Sequence, residues 1–145
     1  MTSTTRHQPA VRAMYVGLLL TIVALIAPFV DQDTGHVLAH HVRDGYPTYT
    51  QDRIDSAVTA WLAVLSVVGA LAIVSWVWTI WAVKAGRPWA RWAATAMFVL
   101  GTALASTVSL IKDTSGDVGL APLLGAVDIL PCVAGSVAVK LLWRR

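Results

Sequence analysis

The chain has 145 residues and a formal net charge of +3, and it is 57% hydrophobic and only 13% charged. Because a soluble domain carries about 25% charged residues, this composition excludes an ordinary soluble enzyme and a disordered chain, and it indicates a membrane-embedded protein. With Cys132 as the single cysteine, an intramolecular disulfide, a paired-cysteine redox centre and a cysteine-based zinc site are all excluded.

Four segments of the chain are apolar over the roughly 20 residues that a helix needs to cross the hydrocarbon of a bilayer. Unpaired backbone amides in lipid are costly, so each such segment is expected to be helical. The sequence therefore predicts an all-α fold, a four-helix transmembrane bundle that forms one integral membrane domain over residues 1–145. The predicted spans are about residues 13–30, 57–83, 88–111 and 119–143.

The longest polar segment, residues 31–48, forms a predicted outer loop between the first two spans. Two of its histidines, His36 and His40, are four residues apart and would share one face of a short helix. That spacing holds a divalent metal ion if a further ligand such as Asp33 converges on it, and histidine is also suited to sensing pH. A competing interpretation is an amphipathic helix on the membrane surface, with its apolar side chains, Val37, Leu38 and Val42, toward lipid.

A short basic segment joins the second and third spans. Lys84 in a last helical turn, Gly86 just beyond it and Pro88 at the start of the next span together predict a helix end followed by a helix start. The connection is too short for anything except an antiparallel hairpin.

Tryptophan is concentrated near the ends of the spans on the side of this hairpin. Indole rings favour the headgroup level of a membrane, so these side chains are predicted to anchor the bundle at the interface. The predicted anchors are Trp76, Trp78, Trp81, Trp89, Trp92 and Trp143.

Basic residues are distributed unevenly between the two sides of the predicted bundle. One side has Arg6, Arg12, Lys84, Arg87, Arg91, Lys140, Arg144 and Arg145, whereas the other has Arg43, Arg53 and Lys112. By the positive-inside rule, both termini are predicted to be cytoplasmic. The short loops and the lack of asparagine-linked glycosylation sites favour a multi-pass protein of the cell membrane, specifically a bacterial inner membrane.

Asp128 is an ionisable side chain within the fourth span. A carboxylate at the bilayer centre is costly, so Asp128 is expected to face the bundle interior or a water-filled pocket. Thr102 and Ser106 of the third span are its predicted partners at similar depth, and Pro131 is expected to disturb the helix beside it. The set is interpreted either as an intramembrane structural contact or as a proton or cation site.

No catalytic motif and no cofactor-binding motif appears, and the basic residues fit membrane topology better than binding to nucleic acid. The first hypothesis is therefore a small, non-enzymatic accessory or interaction protein, whose partners are the lipid bilayer and either a second copy or another membrane protein. The second is an oligomeric small-solute or proton-coupled transporter that uses Asp128. The third is a metal or pH sensor that uses His36 and His40.

Overall fold

The structure, a computed structural model, describes residues 8–112 and 121–144, and these are almost entirely helical. The start of the predicted fourth span, residues 119 and 120, lies outside them. The helices are α1 (Gln8–Thr34), α2 (Val37–Gly45), α3 (Gln51–Lys84), α4 (Ala90–Leu110) and α5 (Pro122–Trp143). All except α2 are long and apolar enough to cross a membrane, and their arrangement is compatible with a helical bundle.

Large apolar side chains cover the outer surface of the four long helices. Leu19 and Val67 are each 61% exposed, and Leu110 is 71% exposed. In water such continuous apolar surface would drive association, whereas lipid chains solvate it. The polar side chains that are fully buried, Thr21 and Thr79, each donate a hydrogen bond to a carbonyl of their own helix, as is required away from water.

The helices are arranged in the order α3, α1, α5, α4 around the bundle. Helix α1 packs extensively against α5 and α3, and α5 also packs against α4. Helices α3 and α4 follow each other in the chain, but they contact each other much less. The bundle is therefore tight around α1 and α5 and looser between α3 and α4.

Two separate clusters of buried side chains lie at opposite ends of the bundle. The terminal-end core, near both chain termini and the α3–α4 turn, comprises Ala10, Met14, Ile80, Ala82, Val83, Ala90, Ala94, Ala138 and Leu142. The cap-end core, beneath α2, comprises Leu38, Val42, Ile54, Val58, Leu62, Leu65, Ala121 and Leu124. Each end of the bundle is thus closed by packed apolar side chains.

The turn between α3 and α4 has the hydrogen-bond pattern of a Schellman motif. The amide of Arg87 donates to the carbonyl of Ala82 and that of Gly86 donates to Val83, both at 3.1 Å, and Gly86 has φ +64°. Only glycine adopts this φ without strain, which explains the helix end predicted at this position. Pro88 lies within the turn, and α4 begins slightly later than predicted, at Ala90.

Most of the segment predicted as an outer loop is helical. Helix α1 continues to Thr34, and α2 follows almost immediately. The amphipathic pattern of α2 also suits contact with lipid. Leu38 and Val42 are instead buried in the cap-end core, 2% and 7% exposed, together with Ile54 of α3. Helix α2 is therefore a lid on the bundle, because α3 extends beyond the predicted span and offers it an apolar surface.

Candidate functional site

A cavity of about 370 Å³ lies between the two cores and is lined by all four long helices. This volume falls within the range of pockets that hold small molecules. The lining is predominantly aliphatic, with the aromatic rings of Trp76 and Phe98 among the lining groups. The arrangement is suited to enclosing an apolar molecule near the middle of the bundle.

The cavity opens sideways, between α3 and α4. Among the residues that line it, Leu71 of α3 is 60% exposed, and Leu100 and Leu104 of α4 are 59% and 51% exposed. Gly101 lies beside them and has open space where a Cβ would be. The lining residues of α1 and α5 are buried or half-buried. Because α3 and α4 contact each other little, this side faces the lipid that would surround the bundle.

Trp76 is placed inside the bundle, contrary to its predicted role as an interfacial anchor. Its Nε1 donates to Thr21 Oγ1 at 3.0 Å, and Thr21 donates to the carbonyl of Gly17 at 2.8 Å. A Cβ at Gly17 would lie 2.5 Å from two carbons of the indole, and one at Gly135 would lie 3.7 Å from it. The ring therefore occupies space that Gly17 of α1 leaves free, and its polar atom is satisfied within the bundle.

The other five predicted anchors are exposed or nearly so at the terminal end, namely Trp78, Trp81, Trp89, Trp92 and Trp143. Trp92 and Trp143 meet edge to face with ring centroids 4.7 Å apart, and the guanidinium of Arg91 lies 5.1 Å from the Trp143 centroid. Mixed aromatic and cationic side chains of this kind are typical of a membrane interface. That these five rings anchor the bundle at a membrane interface stays a prediction.

Asp128 lines the cavity and is half-buried. Thr102 lines the same cavity, and its hydroxyl is buried without a hydrogen-bond partner. The two residues therefore share the cavity, although no hydrogen bond joins them in the part of the chain that the structure describes. Ser106, the other predicted partner, is exposed and does not line the cavity.

Two prolines lie within spanning helices whose residues line the cavity. Helix α5 continues through Pro131 and α1 continues through Pro28. Because proline has no amide hydrogen, the carbonyl four residues earlier loses its helical donor, namely that of Val127 in α5 and of Ala24 in α1. Pro131 therefore does not break the helix beside Asp128.

The outer-loop histidines are not assembled into a metal site. His36, His40 and Asp33 are all exposed. Within residues 8–112 and 121–144, no group of three or more His, Cys, Asp or Glu side chains is arranged to hold a metal ion. The structure instead assigns a local role to Asp31, whose two carboxylate oxygens accept from the amides of Val37 and Leu38 at 3.0 Å, and so cap α2.

The cavity, its mouth and the contact between Trp76 and Thr21 are not evident from the sequence. A signal for that contact is present, because Gly17 and Thr21 are small residues one helical turn apart in the first span. Such pairs are frequent in apolar helices, and the sequence does not indicate the partner helix. Comparison with protein-family models, curated proteins and solved structures gives no match to the chain.

Proposed function

We propose that this protein is a non-enzymatic integral membrane protein that binds a lipophilic small molecule taken up from the bilayer. One observation carries the proposal: a mostly aliphatic cavity at mid-depth opens between α3 and α4. A molecule dissolved in the surrounding lipid would enter by that side without crossing water. The sequence favours an accessory role. In this proposal, the protein has that role because it binds a lipophilic compound and presents it to another protein.

The closed ends of the bundle favour binding over transport by a single chain. A path for ions or small solutes must connect the two aqueous sides, yet the terminal-end core and the cap-end core block it with buried aliphatic side chains. Transport through Asp128 would require these cores to open or a second copy to contribute a path. In the described part of the chain, His36, His40 and Asp33 do not form a group of three side chains that could hold a metal ion, which gives no support to the metal-sensor alternative.

The distribution of charge supports a defined orientation for the bundle. Lys84, Arg87 and Arg91 lie around the α3–α4 turn, and Lys140 and Arg144 lie at the end of α5, all at the terminal end. Because cytoplasmic loops retain such residues, we place the terminal end in the cytoplasm and α2 on the opposite face. A bacterial inner membrane remains the proposed location.

The proposal is tested by narrowing the mouth of the cavity. A leucine at Gly101 has open space for its first carbon and would obstruct the mouth, whereas Ala103→Leu adds a side chain to an exposed position that does not line the cavity. Binding of radiolabelled triphenylmethane, a neutral lipophilic probe without a hydrogen-bond acceptor, is measured in protein-containing nanodiscs against empty ones. We expect Gly101→Leu to lose most of the binding and Ala103→Leu to retain it. Equal binding by the two variants, or no binding beyond that of empty discs, would contradict the proposal.

A further inference from the structure

The cavity has an excess of hydrogen-bond acceptors over donors. Its hydroxyl groups at Thr21, Ser75 and Thr79 all donate to backbone carbonyls of their own helices, at 2.8, 2.8 and 2.6 Å. The indole N–H of Trp76 is likewise used, by Thr21. The protons of these groups are therefore committed within the protein, and lone pairs of the oxygens are what remains for a ligand.

Asp128 adds a carboxyl group to this acceptor-rich lining. No lysine, arginine or histidine lines the cavity in the part of the chain that the structure describes, so the chain places no opposite charge there. The carbonyl of Ala24, which also lines the cavity, lacks its helical donor because of Pro28. Among the described residues that line the cavity, Thr102 also has a hydroxyl, which is buried without a hydrogen-bond partner. The cavity thus presents a carboxyl group and oxygen lone pairs inside an aliphatic wall.

We propose that the ligand of this cavity is a lipophilic cation, whose charged group lies against Asp128 and whose apolar body fills the rest of the space. The inference rests on the proposed function and adds the chemical class of the ligand. A carboxylate in an apolar surrounding is stabilised by a neighbouring cation far more than it would be in water. The aromatic rings of Trp76 and Phe98 also suit a delocalised or quaternary cation, which interacts favourably with the faces of such rings.

The test uses three probes of similar bulk and different charge. Tetraphenylphosphonium and tetraphenylborate have the same shape and opposite charge, and triphenylmethane is neutral and accepts no hydrogen bond. Binding of each is measured by equilibrium dialysis in nanodiscs of zwitterionic phosphatidylcholine, with empty discs subtracted. The variants are Asp128→Asn, which removes the charge with little change of shape, and Asp55→Asn, which makes the same change at an exposed position of α3.

The wild-type protein should bind tetraphenylphosphonium at least about tenfold more tightly than tetraphenylborate, the lower end of what a close charge pair contributes. Asp128→Asn should abolish this preference while it still binds the neutral probe beyond empty discs, and Asp55→Asn should keep the preference. If the protein binds all three probes equally, and Asp128→Asn alters none, the cation inference is wrong while the proposed function stands. If no probe binds beyond empty discs, both fail. A preference for the borate also overturns the inference.

Discussion

The contact between Gly17 and Trp76 makes a quantitative prediction about the stability of the bundle. In Gly17→Ala the new methyl group would lie 2.5 Å from two indole carbons, against the 3.4 Å at which ordinary contact begins. The ring must move back by about 1 Å, which also weakens the hydrogen bond from Trp76 to Thr21. Gly101→Ala is the matched control, because nothing lies within 4 Å of the added carbon.

The expected magnitude follows from three contributions. Overpacking of an ordered interior costs about 1–3 kcal/mol. Loss of a hydrogen bond between membrane helices costs about 0.6 kcal/mol, and replacement of a helical glycine by alanine returns up to about 1 kcal/mol. Gly17→Ala should therefore destabilise the protein by about 2 kcal/mol, whereas Gly101→Ala should leave the stability unchanged or raise it slightly.

The assay is unfolding by sodium dodecyl sulfate in mixed micelles, followed by circular dichroism. A double-mutant cycle with Trp76→Leu isolates the contact, because the cost of Gly17→Ala should largely vanish once the indole is absent. Equal stability of Gly17→Ala and Gly101→Ala would refute this account of the contact. An equal cost of Gly17→Ala in the Trp76→Leu background and in the wild-type protein would refute it as well.

Three further predictions concern the turns, the cap and the orientation. Gly86→Ala should lower the free energy of unfolding in the same assay by about 1 kcal/mol, because φ at this residue is +64°. An added Cβ would meet no neighbour, so the whole cost comes from the backbone conformation. Asp31→Ala should cost about 1–2 kcal/mol by removing both acceptors that cap α2, and hydrogen exchange should increase at the amides of Val37 and Leu38; unchanged exchange would contradict the cap. Green fluorescent protein fused after the last residue should fluoresce in a bacterial host, and alkaline phosphatase fused there should be inactive; the reverse pattern would place the termini outside.

The four long apolar helices were predictable because a bilayer imposes one length and one polarity on every segment that crosses it, and the sequence has four segments of that kind. The hairpin at Gly86 was also predictable, because the lysine, glycine and proline that mark a helix end act through the local backbone and not through distant contacts. The role of α2 was only partly predictable. Its amphipathic pattern is the same for a helix on lipid and for one on protein, and only the three-dimensional structure shows that Ile54 lies beneath it.

The candidate site shows where sequence reasoning stops. Asp128 and Thr102 were expected to share an environment because their depths in the membrane are similar, and they do line one cavity. The exposed position of Ser106 and the interior position of Trp76 depend on how α4 and α3 are rotated about their axes. The rotation of each helix is set by its contacts with other helices. Because small residues occur on several faces of these helices, the sequence does not determine which faces make those contacts.

The sideways mouth of the cavity changes what a binding constant means for this protein. A compound that enters between α3 and α4 is drawn from its dissolved fraction in the membrane, which for an oily molecule greatly exceeds its level in the aqueous phase. Occupancy then depends on the product of partitioning and intrinsic affinity, as in any linked equilibrium. A site with modest intrinsic affinity would be occupied at a low total concentration of the compound. The apparent affinity would decrease as more lipid is added, because the added lipid dilutes the compound in the membrane.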